Sequence, residues 1–444
     1  MCSIFWYYHF MKKIFLCVLI FTAIVFSQEA DNLIKEANKS SSEKLSSGSI
    51  FDFIDSNDIS KIEELFSVEK FNINIRAKNT GDTPLIYATK NHKLDIVNLL
   101  LEHKARVNIK NLEGLTAAHY AFNNSDIDIF LRLLEAGVDP NFILDKDGNT
   151  PIMISAFKND VKTLEILIKY NANINAKNKR GFNPVIFAAY NGSKEALKIL
   201  IDNNAFINDS DSKSNTALMY ASYNNHENII KLLIESGADI EKKKRDGVRA
   251  LSMAVYNNSY SAIETLLKYG AEIDAKDNLG NTALMYAAYY DKVQSLKILL
   301  SHGANVNLEN KVGRTALTLA TLNKSKNAIN VLISSNFNAN INAVDSDGNT
   351  PLMYSIYDSN YDLVTTFIKD NADLNIQNKK GYTALMIATM NGDERLVKQL
   401  LLAKANTDII DRMGKTAVIH AEERGFLTIV KMINSAGKKN VIIY

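Results

Sequence analysis

The chain has 444 residues, of which 46% are hydrophobic and 23% charged, with 51 lysines and arginines against 49 aspartates and glutamates. This balance is that of a soluble folded protein and argues against wholesale disorder. A formal net charge of +2 provides no bulk electrostatic reason to bind nucleic acid or an anionic membrane. The two cysteines, Cys2 and Cys17, and the five prolines exclude a disulfide framework, a thiolate metal site and Pro-rich architectures.

The N-terminal segment, residues 1–27, has the features of a secretory signal peptide. Two consecutive lysines precede the hydrophobic stretch 14–26, and the sequence turns polar after Ser27. The stretch is shorter than the ~20 residues that span a bilayer, so we expect cleavage after Ser27. Residues 1–10 fit no region of such a signal, and one interpretation is an upstream mis-start. An uncleaved N-terminal anchor is the alternative, and only then would the chain contact a membrane.

Residues 28–49 are polar and rich in serine, which predicts a flexible tether between the cleavage site and the folded body. Cleavage would remove both cysteines, and a chain without thiols suits an oxidising compartment. We therefore expect an exported protein, periplasmic or secreted. The proportions of the signal are those of a bacterial one.

A single unit repeats through residues 50–437. Its anchor is a glycine at ten positions and a serine at one, and eight of the ten intervals between anchors are 33 residues. A fixed period of this length predicts a solenoid rather than several separate domains. The two other intervals, 34 and 35, place extra residues at 138–147 and 334–338. With a degenerate first copy the count is about twelve units. The anchors are Gly81, Gly114, Gly148, Gly181, Ser214, Gly247, Gly280, Gly313, Gly348, Gly381 and Gly414.

Each unit has the pattern of two short helices followed by a loop. A threonine two residues after most anchors, such as Thr282, can cap the start of the first helix. Proline follows this threonine in several copies, where a missing N–H is tolerated. The second helix is amphipathic, as in 295–300, and is stopped at Gly303, which can take a positive φ. The remaining residues form a hairpin-like turn that leads to the next anchor.

The repeated unit resembles the ankyrin repeat. Residues 280–307, GNTALMYAAYYDKVQSLKILLSHGANVN, match the family's G-x-T-P-L-H-x-A start and its G-A-x-V-N ending. The resemblance implies an all-α ankyrin-repeat solenoid of helix-turn-helix units joined by β-hairpin-like loops over residues 50–437, with a short tail at 438–444. The family's histidine survives only as His119, and methionine replaces it in five copies. There we expect packing, more than polar bonding, to hold the junction.

No catalytic or metal-binding motif accompanies the repeats. The seven histidines lack metal-ligand spacing. The Asp-rich turns 145–149 and 345–349 lack the glutamate that a calcium loop requires. An enzyme would need a domain of its own, for which the repeats leave no room. We expect a protein that is not an enzyme, with no cofactor and no metal.

An aromatic residue recurs nine positions after the anchor in six copies, and we call this series the aromatic row. In the family this position lies at the open end of the first helix and faces a concave groove, so the resemblance implies a binding face. Aromatic side chains, tyrosine above all, are favoured at interfaces. The other interpretation is a relic of recent duplication. The candidate partner-binding residues are Phe157, Tyr190, Tyr223, Tyr256, Tyr289 and Tyr357.

Two further sets of side chains recur at fixed positions. Tyrosines six residues after the anchor are expected in the core: Tyr87, Tyr120, Tyr220, Tyr286 and Tyr354. The hairpin tips carry many cations, which are typical of solvated turns and alternatively form a mildly basic ridge for an acidic partner. They are Lys78, Lys110, Lys177, Lys179, Arg180, Lys242, Lys243, Lys244, Arg245, Lys276, Lys311, Lys379, Lys380 and Arg412.

Together these features predict an exported, non-catalytic scaffold, monomeric, that binds a protein partner through the concave face of the solenoid. The alternative is a binder of an extended polymer, glycan or peptide, along the aromatic groove. No nucleic-acid partner is expected. The identity of the partner does not follow from the fold.

Overall fold

The computed structural model describes residues 49–334 and 336–439, so the predicted signal peptide and nearly all of the tether lie outside the described residues. The described chain divides into two compact units. The boundary falls in the loop where the interval of 34 residues places one extra residue. The first unit comprises the residues up to Leu144 with Lys169–Ala172, and the second comprises Asp145–Ile168 with those from Asn173 onward.

The described residues form twelve consecutive helix pairs and no strand, which confirms the predicted all-α fold and repeat count. In the first unit the helices are α1 (Ser49–Asp55), α2 (Ile59–Ser67), α3 (Pro84–Lys90), α4 (Leu94–Glu102), α5 (Ala117–Asn123) and α6 (Ile127–Glu135). In the second unit, which excludes only the last residue of α8, they are α7 (Pro151–Lys158), α8 (Val161–Lys169), α9 (Pro184–Asn191), α10 (Lys194–Asp202), α11 (Ala217–Tyr223), α12 (Glu227–Glu235), α13 (Ala250–Tyr256), α14 (Tyr260–Lys268), α15 (Ala283–Tyr289), α16 (Val293–Ser301), α17 (Ala316–Leu322), α18 (Lys326–Ile333), α19 (Pro351–Tyr357), α20 (Tyr361–Lys369), α21 (Ala384–Met390), α22 (Glu394–Leu402), α23 (Ala417–Glu423) and α24 (Leu427–Lys439).

Each unit is built of two layers of helices. In the second unit the first helices of the repeats form one layer, in which each odd-numbered helix from α7 to α23 packs on the next. The second helices form the other layer, in which neighbours pack on each other from α10 to α18 and from α20 to α24. In the first unit α3 packs between α1 and α5, and α4 packs on α6. The apolar stripe of each helix is thus covered by its own partner and by the neighbouring repeat. No helix of the described ranges is long and apolar enough to cross a bilayer.

The first helices start where the sequence predicts caps. The Thr282 hydroxyl accepts a hydrogen bond from the backbone N–H of Met285 at 3.3 Å, and Thr350 does the same for Met353 at 3.2 Å. These bonds satisfy N–H groups that have no partner within the helix. After seven or eight residues the helix ends in a turn, where Asn258 takes a φ of 58°. Asparagine tolerates this left-handed conformation better than most residues.

The position of the family's histidine is buried in the methionine copies. Met153 and Met285 are at most 1% exposed, which confirms that packing holds these junctions. The surviving His119 bonds instead, because its Nε2 lies 3.0 Å from the Ile143 carbonyl oxygen and its Nδ1 accepts from the Thr116 backbone N–H at 3.2 Å. Burial lowers the pKa of His119, which favours the neutral ring in this role.

A hairpin-like loop joins each second helix to the next first helix. In the loop before α15, the Asp277 backbone N–H donates to the Asn281 carbonyl at 2.9 Å, and the Asp277 carboxylate accepts from the N–H groups of Leu279 at 2.8 Å and Asn281 at 2.7 Å. The next hairpin bonds to this one, because the Lys311 N–H donates to the Leu279 carbonyl at 3.0 Å. We call the series of such bonds between neighbouring hairpins the hairpin ladder.

The hairpin ladder explains the glycine anchors. Gly280 has a φ of +82°, and a Cβ atom there would lie 2.7 Å from the backbone nitrogen of Lys311. At Gly181 the corresponding distance to Ser212 is also 2.7 Å. A side chain at these anchors would therefore require both a strained backbone and a wider gap between neighbouring hairpins.

Candidate functional site

The aromatic row, the six candidate residues named above, lies at the C-terminal ends of α7, α9, α11, α13, α15 and α19. All six are in the second unit. Four side chains are well exposed, and Phe157 and Tyr223 are partly buried. The exposed fractions are 44% for Tyr190, 49% for Tyr256, 37% for Tyr289 and 44% for Tyr357. The rings are therefore accessible to a ligand, and their role in binding stays a prediction.

The rings of the row contact one another in pairs. Phe157 and Tyr190 stack with their centroids 6.5 Å apart and planes 28° apart. Tyr223 and Tyr256 stack in the same way, at 6.5 Å and 27°. Among the described rings no contact joins Tyr190 to Tyr223. The row is therefore two stacked pairs followed by separate rings, rather than one continuous stack.

One aromatic residue of this surface, Tyr290, was missed by the sequence analysis. It is 39% exposed, and its ring lies edge-on to Tyr256 at 5.1 Å and to Tyr289 at 5.0 Å. Burial, together with the neighbouring phenols of Tyr256 and Tyr289, raises the pKa of Tyr290. The signal for Tyr290 in the sequence was the pair of consecutive tyrosines, Tyr289 and Tyr290. A residue next to the row position also lies at the end of the first helix.

The backbone of the row is held by the following repeat. The Tyr223 carbonyl accepts from the Asn257 side-chain amide at 2.8 Å and from the Ser259 hydroxyl at 2.6 Å. The same two donor types reach the Phe157 carbonyl from Asn191 and Ser193 and the Tyr289 carbonyl from Asn323 and Ser325. The main chain beneath the rings is thus fixed before any ligand arrives, which reduces the ordering that binding requires.

The second tyrosine series was expected in the core, and that expectation is wrong. All five side chains are only half-buried. The Tyr220 hydroxyl donates to the Asp211 carboxylate at 2.6 Å, and Tyr286 donates to Asp277 at 2.5 Å. A phenol hydroxyl needs a partner when it leaves water, and the hairpin carboxylate provides one. Burial first, and the carboxylate second, raise the pKa of Tyr220 and Tyr286.

The hairpins alternate in a pattern of two repeats. If the copies are counted from the anchor Gly81, the residue three before the anchor is an aspartate in most odd-numbered copies and an asparagine in most even-numbered copies. Each of these asparagines bonds back to the preceding repeat through its side-chain amide. Asn178 donates to Asn149 at 2.7 Å, Asn310 to Asn281 at 2.9 Å, and Asn378 to Asn349 at 2.9 Å.

One boundary of the second unit lacks this link. Lys244 stands where the pattern has asparagine, and the side-chain carbonyl oxygen of Asn215 is buried without a hydrogen-bond partner. The hairpin ladder is interrupted at the same boundary: in the described part of the second unit, only Arg245 lacks the backbone bond to the preceding hairpin. Ser214, the one anchor that is not glycine, lies here with a φ of 65°. Its Cβ atom is a physical reason for the missing bond, because at Gly181 and Gly280 a Cβ atom would lie 2.7 Å from the backbone of the next hairpin.

A cavity of about 300 Å³ lies beside the interrupted boundary. Lys244 and Asp246 both line it; the Lys244 side chain is 21% exposed, and its ammonium lies 3.4 Å from the Asp246 carboxylate. Three tyrosines from successive first helices, Tyr223, Tyr256 and Tyr286, supply most of the remaining wall together with Met253. Val248 and Ser252 complete it.

The hairpin carboxylates predict a loss of stability in acid. Burial opposes the charged form of Asp145, but hydrogen bonds from the Asn149 and Asp147 backbones and the Asn149 side chain hold its pKa below the ordinary value. A carboxylate with a lowered pKa stabilises the fold above its unfolded pKa of about 4 and loses this contribution as the pH falls through the folded pKa. In Asp145→Asn, the urea midpoint should therefore fall less between neutral and acidic pH.

The asparagine variant should keep the hairpin intact. Asn178 in the next copy accepts the equivalent bonds from the N–H groups of Arg180 at 3.0 Å and Phe182 at 2.9 Å. An acid dependence identical to that of the unmodified protein would contradict the assignment of Asp145.

Comparison with known proteins agrees with this geometry. The sequence profile described as "Ankyrin repeats (3 copies)" matches in overlapping segments that together run from residue 51 to residue 442. A putative ankyrin repeat protein of Rickettsia bellii is 27% identical over 154 residues, which are 28% of this chain and 22% of the relative. A putative ankyrin repeat protein, L371, of Acanthamoeba polyphaga mimivirus is 32% identical over 114 residues, 26% of this chain and 15% of the relative.

Some of the similar proteins carry the names of enzymes. The tyrosine-protein kinase HTK16 of Hydra vulgaris is 39% identical over 90 residues, which are 20% of this chain and only 12% of the kinase. The chain thus spans a small part of the curated relatives it matches, and their activities do not follow from these matches. The profile matches cover nearly all of the described residues, so the chain belongs to the ankyrin-repeat family.

Proposed function

We propose that the protein is a non-catalytic scaffold that binds a protein partner through the aromatic row and the hairpins beside it. The observation that carries the proposal is the combination of exposed rings and a fixed backbone. Tyr190, Tyr256 and Tyr289 expose more than a third of their surface, and the carbonyl of Tyr289 is held by the next repeat. Large aromatic contact surfaces on a preorganised backbone favour protein recognition.

We further propose that the protein is exported and works outside the cytoplasm of a bacterium. The support is the sequence pattern of residues 1–27, two lysines followed by a hydrophobic stretch and a polar turn. The expected result of N-terminal sequencing on native material is a mature chain that begins near Gln28, recovered outside the cytoplasmic fraction. A chain that begins at Met1 or Met11 in the cytosol would refute export.

Removal of four rings of the row should abolish partner binding and leave the fold intact. The variant replaces Tyr190, Tyr223, Tyr256 and Tyr289 with alanine. Because three of these side chains are exposed, replacing those three should alter stability little, whereas binding losses should accumulate along the row. Crosslinking and mass spectrometry on native cells would identify the partner, and calorimetry with the purified partner would measure the loss.

A matched control removes the same number of tyrosines from the second helices and their ends. It replaces Tyr170, Tyr260, Tyr269 and Tyr361, none of which belongs to a first helix, and it should retain binding. A row variant that is folded and still binds its partner would leave the row as a relic of duplication. Binding to a glycan array, with no protein partner recovered, would favour the extended-polymer alternative.

A further inference from the structure

We propose that the cavity at the interrupted boundary is the site for an acidic peptide segment of the partner. A bulky apolar side chain of that segment enters between Tyr223, Tyr256 and Tyr286, and carboxylates beside it pair with the basic tip of the neighbouring hairpin, Lys242–Arg245. This inference rests on the proposed function and specifies its partner chemistry.

The walls of the cavity suit one large apolar side chain. Two of its rings, Tyr223 and Tyr256, are already stacked on each other at 6.5 Å, so they present a rigid aromatic wall. Met253 is a further lining residue, and methionine adapts to side chains of different shapes. A volume of about 300 Å³ lies at the lower end of the range for ligand pockets, ≈300–1,000 Å³, so the cavity suits one anchoring residue.

The charge beside the cavity is positive and unpaired. Lys242, Lys243 and Arg245 are exposed, and the described residues provide no acidic partner within ion-pair distance of any of them. The pair between Lys244 and Asp246 is long, at 3.4 Å. Arg249, by contrast, is already occupied by Glu241 at 2.8 Å. Four consecutive cations with one loosely held carboxylate therefore favour an acidic partner.

The pattern of charges on neighbouring hairpins favours a short acidic peptide over a nucleic acid. A continuous polyanion requires cations along the whole surface. Here Lys177 pairs with Asp209 at 2.9 Å and Arg180 pairs with Asp147 at 2.8 Å, so most of the positive charge on the hairpin at 177–180 is already paired. One or two unpaired cations remain on other hairpin tips, but the only run of four consecutive cations is Lys242–Arg245.

Three departures from the repeat pattern meet at this boundary. Ser214 replaces the anchor glycine, Lys244 replaces the bonding asparagine, and Arg249 replaces the capping threonine. At the same boundary the side-chain carbonyl oxygen of Asn215 has no partner and the hairpin ladder is interrupted. Local rules of a fold are typically broken where a site is built, and one of these departures, Lys244, lines the cavity and supplies its cation.

The test uses fluorescence anisotropy with labelled peptides and the full mature chain. The probe is a short peptide with one central phenylalanine flanked by glutamates. The two reference peptides carry glutamine for every glutamate or alanine for the phenylalanine. The probe should bind at least about tenfold more tightly than either reference peptide, and its affinity should weaken as salt is raised.

Two protein variants locate the charge. The triple variant Lys242→Gln, Lys243→Gln and Arg245→Gln should bind the probe about tenfold more weakly. The control variant loses the same charge from other hairpin tips, through Lys179→Gln, Lys379→Gln and Lys380→Gln, and should bind as the unmodified chain does. Equal losses in the two variants would refute the site and indicate only a general attraction to a basic protein.

A repair variant tests the cavity without endangering the fold. Ser214→Gly with Lys244→Asn restores the glycine anchor and the asparagine link, so its urea midpoint should not fall and its affinity for the probe should drop about tenfold. Undiminished binding by a folded repair variant would overturn the inference, and so would a thymidine oligonucleotide that binds more tightly than the probe. If the probe fails while the row variant loses its native partner, the inference falls and the proposed function stands.

Discussion

Replacing Leu284 with alanine should lower the free energy of unfolding by about 2–5 kcal/mol. Leu284 lies in α15 and is 1% exposed. Because α15 packs on both α13 and α17, the space left by the side chain weakens contacts within its own repeat and with its neighbours. In a stack held by nearest-neighbour interfaces, a weak inner interface reduces coupling between the repeats on either side. The urea transition, followed by circular dichroism, should broaden or split.

The control is the same chemical change in the adjoining hairpin. Leu279 is 65% exposed, so Leu279→Ala should change the free energy of unfolding by no more than about 0.5 kcal/mol. A single sharp transition in Leu284→Ala, with the midpoint of the unmodified protein, would show that this leucine does not lie at an inner interface.

The helices could be predicted from sequence because their signals are local. The Thr282 hydroxyl caps α15 by accepting from the backbone N–H three residues later. Gly280 takes a positive φ that few other residues tolerate. Each signal acts within one repeat and returns at a fixed period, so the unit and its count follow from the pattern. The position of the aromatic row at the helix ends follows from the resemblance to the ankyrin repeat, and the period returns it in each copy.

The interrupted boundary could not be predicted in this way, because it depends on pairs of residues in different repeats. The asparagine link joins residues 29 positions apart, as in Asn310 and Asn281, and reading one repeat at a time treats both as ordinary turn residues. Ser214 was recognised as an anchor that lacked glycine. Its consequence became visible only in the missing backbone bond between its hairpin and the next.

The half-buried tyrosines show the same limit. Periodicity places Tyr286 on the inner side of its helix, which predicts a core residue. The hydroxyl instead turns to Asp277, nine positions earlier in the hairpin. A hydrophobic period describes the ring and does not account for the polar atom at its tip, which requires a partner.

Replacing Gly381 with alanine should destabilise the C-terminal repeats by about 2–5 kcal/mol, from left-handed strain and enforced overlap together. Gly381 has a φ of +80°, and an added Cβ would lie 2.6 Å from the backbone nitrogen of Arg412. That nitrogen donates to the Lys380 carbonyl in the hairpin ladder. Because the colliding atom is backbone, the two hairpins must separate, and this ladder bond should break. Denaturant unfolding and amide exchange at Arg412 would measure both effects.

Gly414→Ala separates the two causes of that loss. Gly414 has a φ of +76°, close to that of Gly381, but a Cβ atom there meets nothing within 4 Å. Its substitution should therefore show only the left-handed strain, about 1–2 kcal/mol. The difference between the two variants measures what the close approach of neighbouring hairpins adds. Equal losses would mean that the hairpins already separate without difficulty, and the explanation of the missing ladder bond at Ser214 by its Cβ atom would then fail.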